Sequence, residues 1–339
     1  MDLHSIESVL KNEPGFRLKQ IYEAVFGRFI SSWDEMSNIS KELKERLKKE
    51  SSLEIEGKIF YSKDKKTYKA LVTLLDGEKV EAVLMRNNDG RNSLCLSSQV
   101  GCAGGCAFCA TGKMGLRRNL RSHEIIDQFL FFARFLKKEF GENEKITNVI
   151  FMGMGEPFLN YDEVMGAVRV LNSKELIGLG ARNISISTVG IIPGIEKFSK
   201  ENEQLNLAIS LHAPNNELRS KLVPINKKYP IEKLLKSIDK YIAKKKRKVM
   251  FEYLLLEEVN DSDECANELA KIMRKPLYMV NLIPYNYTGD FRPSSKGRSL
   301  AFKKILEKNR VNVTVRKSYG GDIDAACGQL SAKHGTYNA

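Results

Sequence analysis

Apolar residues recur three or four positions apart through the start of the chain, in SIESVLKN, RLKQIYEAVFGRF and WDEMSNISKELKERLKKE. That spacing lines one face of a helix, so a small helical unit is expected over residues 1–52. From Leu53 the period falls to two. LEIEGKIFYS, KTYKALVTLLDG and KVEAVLMR alternate apolar with polar positions and are parted by Lys, Asp and Gly turns, which predicts a β-meander over residues 53–92. Beyond it, apolar runs alternate with amphipathic stretches. The runs are SLCLSS, TNVIFM, NISIST, LNLAISL, KVMFEYLLL, YMVNLIP and VNVTV; between them lie helix-like segments such as HEIIDQFLFFARFLKKEF, YDEVMGAVRVLN, IEKLLKSIDKYIAKK, CANELAKIMRK and SLAFKKILEK. Strands joined by helical crossovers build a parallel sheet, and roughly six such units fall short of a closed eight-fold barrel. Residues 93–339 are therefore expected to form an α/β partial (βα)6 barrel.

The chain of 339 residues is long enough to bury a large core without covalent staples, and its 6 cysteines do not have the look of a secreted disulfide framework. The opening MDLHSIESVLKNEPGF has no basic segment followed by an apolar run, and IIDQFLFFARFL, the most apolar stretch, carries Asp127 and Arg134. Neither a signal peptide nor a membrane span is expected, and the reading is a cytoplasmic protein. Lys and Arg number 55 against 42 Asp and Glu, a net charge of +13, which attracts polyanions such as nucleic acid or simply keeps a surface solvated. Position adds to the count: Lys113, Arg117, Arg118 and Arg121 follow directly on a cysteine-rich loop, whereas KKKRK at 244–248 falls at a helix end where it complements the helix dipole.

In a parallel barrel the reactive groups stand where strands end. Polar clusters fall at such ends here: Gly153 to Glu156, Ser187 with Thr188, Ser210 to His212, and Asn286. Each alone is an ordinary turn or cap. Their repetition at equivalent positions is what suggests a shared mouth.

The loop GCAGGCAFCATGKMG follows the first barrel strand and holds Cys102, Cys106 and Cys109 at C-x3-C-x2-C spacing. A structural zinc site takes four ligands, commonly as paired C-x2-C, and His123 lies outside any such spacing. A redox pair of Cys106 and Cys109 leaves Cys102 unexplained, and a zinc deaminase requires an upstream H-x-E that is absent. Three thiolates on a flexible loop suit a [4Fe-4S] cube, whose ligands usually number four, with one iron left open to chelate S-adenosylmethionine and split it to a carbon radical.

With Phe108 before the last cysteine, the loop resembles that of the radical S-adenosylmethionine superfamily. The stretches CLSSQVGC, FMGMGEP, ISISTVGIIPGI, SLHAP, LVPIN, NLIPYN and VRKSYGGDIDAACGQL make nearly the whole chain similar to the RlmN family of dual-specificity RNA methyltransferases. That resemblance implies methylation of C2 of adenine in 23S rRNA and in tRNA. C2 lies between two ring nitrogens and is no nucleophile, so polar methyl transfer fails there and a carbon radical is needed. By the same resemblance Cys327 takes a methyl group from one S-adenosylmethionine, a radical derived from a second activates it, and the carbon adds to C2 as a covalent protein-RNA adduct. Glu81 matches the acceptor of the C2 proton, and Cys95 the thiol that resolves the adduct through a transient disulfide with Cys327. Gly155, Glu156, Ser187, Ser210, Leu211, His212 and Asn286 match the contacts to S-adenosylmethionine. A flavodoxin or ferredoxin as electron donor completes what the resemblance implies; charge and position make the N-terminal unit and the basic residues near Arg117 the candidates for gripping RNA, and a monomer is expected.

On the residues alone, Cys95 between two leucines and Cys327 beside two alanines read as small packed side chains, Glu81 as a solvated strand carboxylate, and Cys265 as a helix cysteine with no role. Two other functions share the cysteine loop. One is methylation of adenine C8, as in the related antibiotic-resistance enzymes; the other is a non-catalytic iron-sulfur protein that binds RNA or senses redox state.

Overall fold

The computed structural model describes residues 3–332; residues 333–339, the tail of the expected barrel unit, lie outside the described residues. Three short helices open the chain, α1 (Leu3–Val9), α2 (Phe16–Tyr22) and α3 (Lys41–Glu50). The Ser40 side chain caps α3 by accepting from Leu43 N at 3.2 Å. Ile21, Val25, Phe26, Trp33, Leu43 and Leu47 are buried between these elements, and the Trp33 indole N–H donates to Ser51 O at 2.8 Å.

The meander is β1 (Gly57–Tyr61), β2 (Thr67–Thr73) and β3 (Lys79–Arg86), paired antiparallel in turn. It continues into β4 (Asn92–Cys95), which pairs antiparallel with β3 on one side. After β4 comes a detached hairpin, β5 (Gln99–Gly101) and β6 (Leu116–Asn119), with the single-turn helix α4 (Ala110–Lys113) between its strands. The long helix α5 (Ser122–Phe140) then leads to β7 (Asn148–Phe151), which pairs parallel with β4. Its Arg134 ties the N-terminal unit down, donating to Leu53 O and Ile30 O at 2.7 Å each.

The remaining elements alternate: α6 (Tyr161–Asn172), β8 (Ile184–Thr188), α7 (Ile192–Phe198), β9 (Asn206–Ser210), α8 (Asn216–Leu222), α9 (Ile231–Lys245), β10 (Val249–Leu255), α10 (Asp263–Met273), β11 (Tyr278–Pro284), α11 (Lys296–Lys308) and β12 (Val313–Val315). From β4 through β7 to β12 every neighbouring pair is parallel. The sheet of ten strands ends at β1 and β12, which do not pair with each other, so the barrel is open, as the strand pattern predicts. Ile184, Ile186, Leu207, Ile209, Val249, Phe251, Val280 and Leu282 face the helices and are buried. The alternate residues turn inward, and there the pattern departs from a filled barrel: Ser187, Ser210, Glu252 and Asn281 put polar groups where a closed barrel stacks aliphatic side chains.

Among the described residues no helix is long and apolar enough to cross a membrane.

Candidate active site

The β5–β6 hairpin clamps the base of the cysteine loop. Cys102 N donates to Gly115 O at 2.9 Å, closing the loop, and Gly101 supplies the positive φ of 76° that its turn needs. Cys102, Cys106 and Cys109 all line one cavity at the C-terminal ends of the parallel strands, of about 140 Å³. A Cβ on Gly104 would stand 3.3 Å from Cys102 Sγ and 3.9 Å from Cys106 Sγ, so the sulfurs close over a position kept bare. Phe108 meets the His212 ring edge-on at 4.7 Å and packs with Leu222, Val223, Leu254 and Leu256 into an apolar wall behind Cys106.

That wall sets the chemistry of the thiols. Burial pushes Cys102 up to about 11, with Glu156 and Cys109 adding to it, and pushes Cys106 well above its ordinary value, with Cys109 and Cys102 adding to it. They shed protons only against strong positive charge, as metal coordination provides. No three His, Cys, Asp or Glu side chains among the described residues converge as a single ion requires. Three sulfurs spread around the end of one cavity at C-x3-C-x2-C spacing fit a multi-iron cube with an open corner better than one zinc ion.

The facing wall comes from the other strand ends. After β7 the chain passes through Gly153 and Gly155, where a Cβ would fall 2.7 Å from Leu96 O and from Ser98 Oγ respectively; only glycine lets this turn lie against the residues that follow β4. The turn delivers Glu156, whose carboxylate accepts from Phe158 N at 3.0 Å and Val189 N at 2.8 Å while burial raises its pKa to about 7. Ser187 and Ser210 line the same cavity with their hydroxyls 3.5 Å apart. His212 sits at a positive φ of 57°, and its Nδ1 accepts from Leu254 N at 3.1 Å. The ring is therefore neutral with its proton on Nε2, consistent with a pKa lowered to about 3 by burial and then by Arg219.

Arg219 holds these ends together and is fully buried. It donates to Leu211 O at 3.1 Å, Asn226 Oδ1 at 2.9 Å, Val189 O at 2.7 Å and Ser210 O at 3.2 Å, tying the exits of β8 and β9 to α8. Leu211 lies elsewhere than its neighbours in sequence: its side chain packs in the main core, its N–H donates to Glu252 O and its carbonyl serves Arg219.

A second cavity of about 80 Å³ adjoins the first, and Cys109, Met152, Arg316 and Cys327 belong to the walls of both. Cys95, at the end of β4, faces Cys327 across this second space; burial, then Cys327, pushes Cys95 up to about 12. Asn286 lines this thiol cavity and not the one with Glu156. The segment carrying Cys327 is pinned just after the cysteine. Ala110 N donates to Gly328 O at 2.7 Å and Thr111 Oγ1 to Leu330 O at 2.6 Å, so it hangs directly on the cysteine loop.

Glu81 shares the face of β3 with Val83 and Met85, which line the thiol cavity, but its own carboxylate stops short of it. It pairs with Lys69 at 2.9 Å, both side chains being 2–3% exposed, and accepts from Ser331 N at 2.8 Å and Ala332 N at 3.2 Å. The basic residues after the loop are likewise engaged. Arg117 pairs with Glu78, Arg118 with Asp76 and Glu124, and Lys113 with Asp290, so three of the four basic residues of the patch legible in sequence are met by carboxylates from the turn between β2 and β3, from α5 and from the segment after β11.

Sequence reasoning passed over Arg219, Arg316 and Glu252. Glu252 is 2% exposed in β10, lines the first cavity with its pKa raised by burial to about 7, and has one oxygen, Oε1, without a hydrogen bond. The available signal was a lone charge inside an apolar strand run, KVMFEYLLL, where inward-facing polarity is costly unless used.

Comparison with known proteins bears on the family and the fold. Residues 96–269 match the model of the radical SAM superfamily, and residues 6–53 that of the ribosomal RNA large subunit methyltransferase N-terminal domain. A protein of Dictyoglomus thermophilum named "Probable dual-specificity RNA methyltransferase RlmN" is 44% identical over 335 residues, covering 98% of this chain and 95% of the relative. One of the same name from Caldicellulosiruptor saccharolyticus is 45% identical over 324 residues, 95% of this chain and 92% of its own. The crystal structure of a radical SAM methyltransferase from Sphaerobacter thermophilus superposes with a TM-score of 0.93 at 40% identity, covering 98% of both chains.

Proposed function

The chain belongs to the RlmN family of radical SAM RNA methyltransferases, and from that premise we propose that it methylates C2 of an adenosine in 23S rRNA and in tRNA, by way of an S-methyl group on Cys327. One observation carries this reading: Cys327 stands in the wall common to two cavities, one lined by the three loop thiols and Glu156, the other by Cys95. A sulfur in that position can be loaded from one side and deliver to the other.

Cys102, Cys106 and Cys109 hold a [4Fe-4S] cluster, and Gly155, Glu156, Ser187, Ser210 and His212 surround S-adenosylmethionine, with Leu211 acting through its backbone and Asn286 from the adjoining cavity. When bound, these groups supply the methyl carbon and the one-electron chemistry that activates it. The polypeptide does the rest. Cys327 carries the methyl carbon and bonds through it to C2 of the base. After the adduct has given up one electron, to the group that supplied it, and the proton at C2, the Cys95 thiolate attacks Cys327 Sγ; the sulfur–sulfur bond forms as the sulfur–methylene bond breaks, the electron pair goes to the methylene carbon, which takes up a proton to become the methyl group, and the methylated base leaves. Glu81 takes the C2 proton. Its carboxylate is held by Lys69 and by the backbone of Ser331 and Ala332, so that role requires the 331–332 segment to release it.

Residues 1–52 form an RNA-binding unit, residues 53–92 a connecting meander and residues 93–339 the catalytic barrel. The enzyme works as a cytoplasmic monomer reduced by a flavodoxin or ferredoxin. The test is anaerobic turnover of reconstituted protein with S-adenosylmethionine, a reductant and rRNA or tRNA transcripts. 2-Methyladenosine in the digested product supports the reading, and 8-methyladenosine refutes it. Methyl transfer that survives Cys327→Ala would refute the intermediate, and protein-RNA adduct that accumulates in Cys95→Ala would support it.

A further inference from the structure

Arg316 follows β12 and completes the sheet edge, its backbone N–H donating to Leu282 O at 2.8 Å. Its side chain is unusual. The guanidinium lies in the wall between the two cavities, and among the described residues it makes one side-chain hydrogen bond, from Nη1 to the thioether Sδ of Met152 at 3.1 Å, and no salt bridge. Guanidinium presents five N–H donors in a rigid planar fork and keeps its charge at any physiological pH. Most of that fork is unanswered by protein. Cys327 contributes most to its field, followed, against the cost of burial, by Glu252, which lines the same cavity but forms no ion pair with it and has Oε1 unbonded.

Arg316 is half-buried and its free N–H groups open into the cavities it lines, so they stand where an acceptor that arrives with a ligand would meet them. The shape of the thiol cavity says which kind. Val83, Met85, Ile150, Met152 and Ile283 form apolar sides, Cys95 and Cys327 stand at the reacting end, and Arg316 is the cation shared with the wall that carries Cys327. A flat heteroaromatic ring with lone pairs on its edge matches that lining. On adenine the two ring nitrogens with free lone pairs next to C2 are N1 and N3. Because Arg316 and Cys327 line the same two cavities, a pose that sets C2 against Cys327 can bring one of them to the Arg316 fork.

We infer that Arg316 is a substrate-recognition residue, donating a charge-assisted hydrogen bond to N1 or N3 of the target adenine and thereby setting C2 against Cys327. The inference rests on the C2 reading above. No proton or electron passes through the guanidinium; it aligns the ring and stabilises electron density that moves onto the nitrogen as the carbon–carbon bond to C2 forms.

The experiment uses reconstituted holoenzyme and an RNA stem-loop whose target base is adenine, 1-deazaadenine, 3-deazaadenine or, as a remote control, 7-deazaadenine. Wild type is expected to lose about 10- to 100-fold in kcat/KM with one of the first two analogues and little with the 7-deaza RNA. Arg316→Met should show the same loss with natural RNA and no further loss with that analogue, while Arg316→Lys falls between. Wild type indifferent to both 1-deaza and 3-deaza RNA overturns the proposal without recourse to any variant. Losses from Arg316→Met and from the analogue that multiply overturn it too. A third contrary result is failure of Arg316→Met to acquire the S-methyl mass on its Cys327 peptide before RNA is added, because the guanidinium would then serve S-adenosylmethionine and not the base. Wild type that makes no 2-methyladenosine from natural RNA sinks the C2 reading itself, a distinguishable outcome.

Discussion

Replacing Lys69 by Met tests the ion pair under the Cys327 segment. Lys69 in β2 and Glu81 in β3 are diagonal neighbours, since Lys69 is paired with Val83 and Leu71 with Glu81. Their charged atoms are 2.9 Å apart and their side chains 3% and 2% exposed. At that depth the pair's attraction roughly offsets the cost of desolvating both ions, so its net contribution is small, but removing one partner strands the other and costs about 3–5 kcal/mol. Lys69→Met keeps the length of the side chain and leaves Glu81 with two backbone donors, Ser331 N and Ala332 N. The lost contact from Lys69 to Asp324 O, at 3.4 Å, adds little. Glu81→Met takes from Lys69 its carboxylate partner and leaves those two amides unanswered, with a loss of the same order. The double variant removes both charges and should cost less than the two singles summed by about 2 kcal/mol or more. Chemical unfolding of all four proteins, with the denaturant slope checked for constancy, reads the cycle. Lys69→Met that loses less than about 1 kcal/mol, or a double variant equal to the sum, would refute the reasoning. Because Glu81 and Lys69 grip the chain on either side of Cys327, the same substitution should also speed alkylation of Cys327 in the folded protein.

Cys95 is held as the neutral thiol by burial, with its pKa pushed up to about 12. Release of methylated RNA in a single turnover should therefore accelerate about tenfold per pH unit between roughly pH 7 and 9 as its thiolate fraction grows, and a flat profile would assign the resolving step to another group. Arg219→Lys should lower stability by about 2–4 kcal/mol in thermal unfolding and weaken S-adenosylmethionine binding, because an ammonium cannot serve the four acceptors now held by one guanidinium; unchanged ligand affinity would remove Arg219 from the positioning of His212 and Val189. Burial alone would raise the pKa of Glu124, but its bonds from Arg118 and from the Arg121 N–H hold it below the usual 4.5. Its stabilisation is then present above about pH 4.5 and lost as pH falls through the lower folded value, so Glu124→Gln should destabilise the apoprotein at pH 7 and hardly at all at the acid end. A penalty that persists undiminished in acid would show that packing, not charge, is what Glu124 contributes.

How much of this could be read in the sequence follows from the range of each interaction. The strands and helices are local patterns, and the cysteine loop is a short spacing, so both were legible. The convergence of Gly153 to Glu156, Ser187, Ser210 and His212 was legible at one remove, because strand-end positions in a parallel barrel meet whatever the intervening sequence. The engagements of the charges were not. Arg117 and Arg118 read as a free basic patch because Glu78 and Asp76, their partners, lie some forty residues earlier, across a hairpin whose approach no local pattern encodes. Glu81 read as a solvated carboxylate because the groups that satisfy it include backbone 250 residues further on. Arg219 and Arg316 look like ordinary surface cations until the fold turns them inward, and Cys327 was found through family resemblance, since two flanking alanines say only that the site is tight.

The placement of Cys327 has a physical origin separate from any ligand. Neither the cysteine loop nor the 320–330 segment has enough regular structure to fix itself; the first contains α4 of only four residues and the second a single turn of three. They fix each other. Gly328 O and Leu330 O are taken by Ala110 and Thr111, the residues directly after Cys109, while Thr288 Oγ1 donates to Phe108 O and Gln329 Nε2 to Tyr287 O, lashing the exit of β11 to both. Two loops whose conformations cost entropy separately thus share one set of bonds, anchored to β4, β11 and β12. On the proposed mechanism, the sulfur that would receive the methyl group is thus held beside the thiols that would hold the cluster before either group binds. Such preorganisation is what a reaction through a short-lived carbon radical requires, since a sulfur that had to search for its position would leave the radical time to react elsewhere.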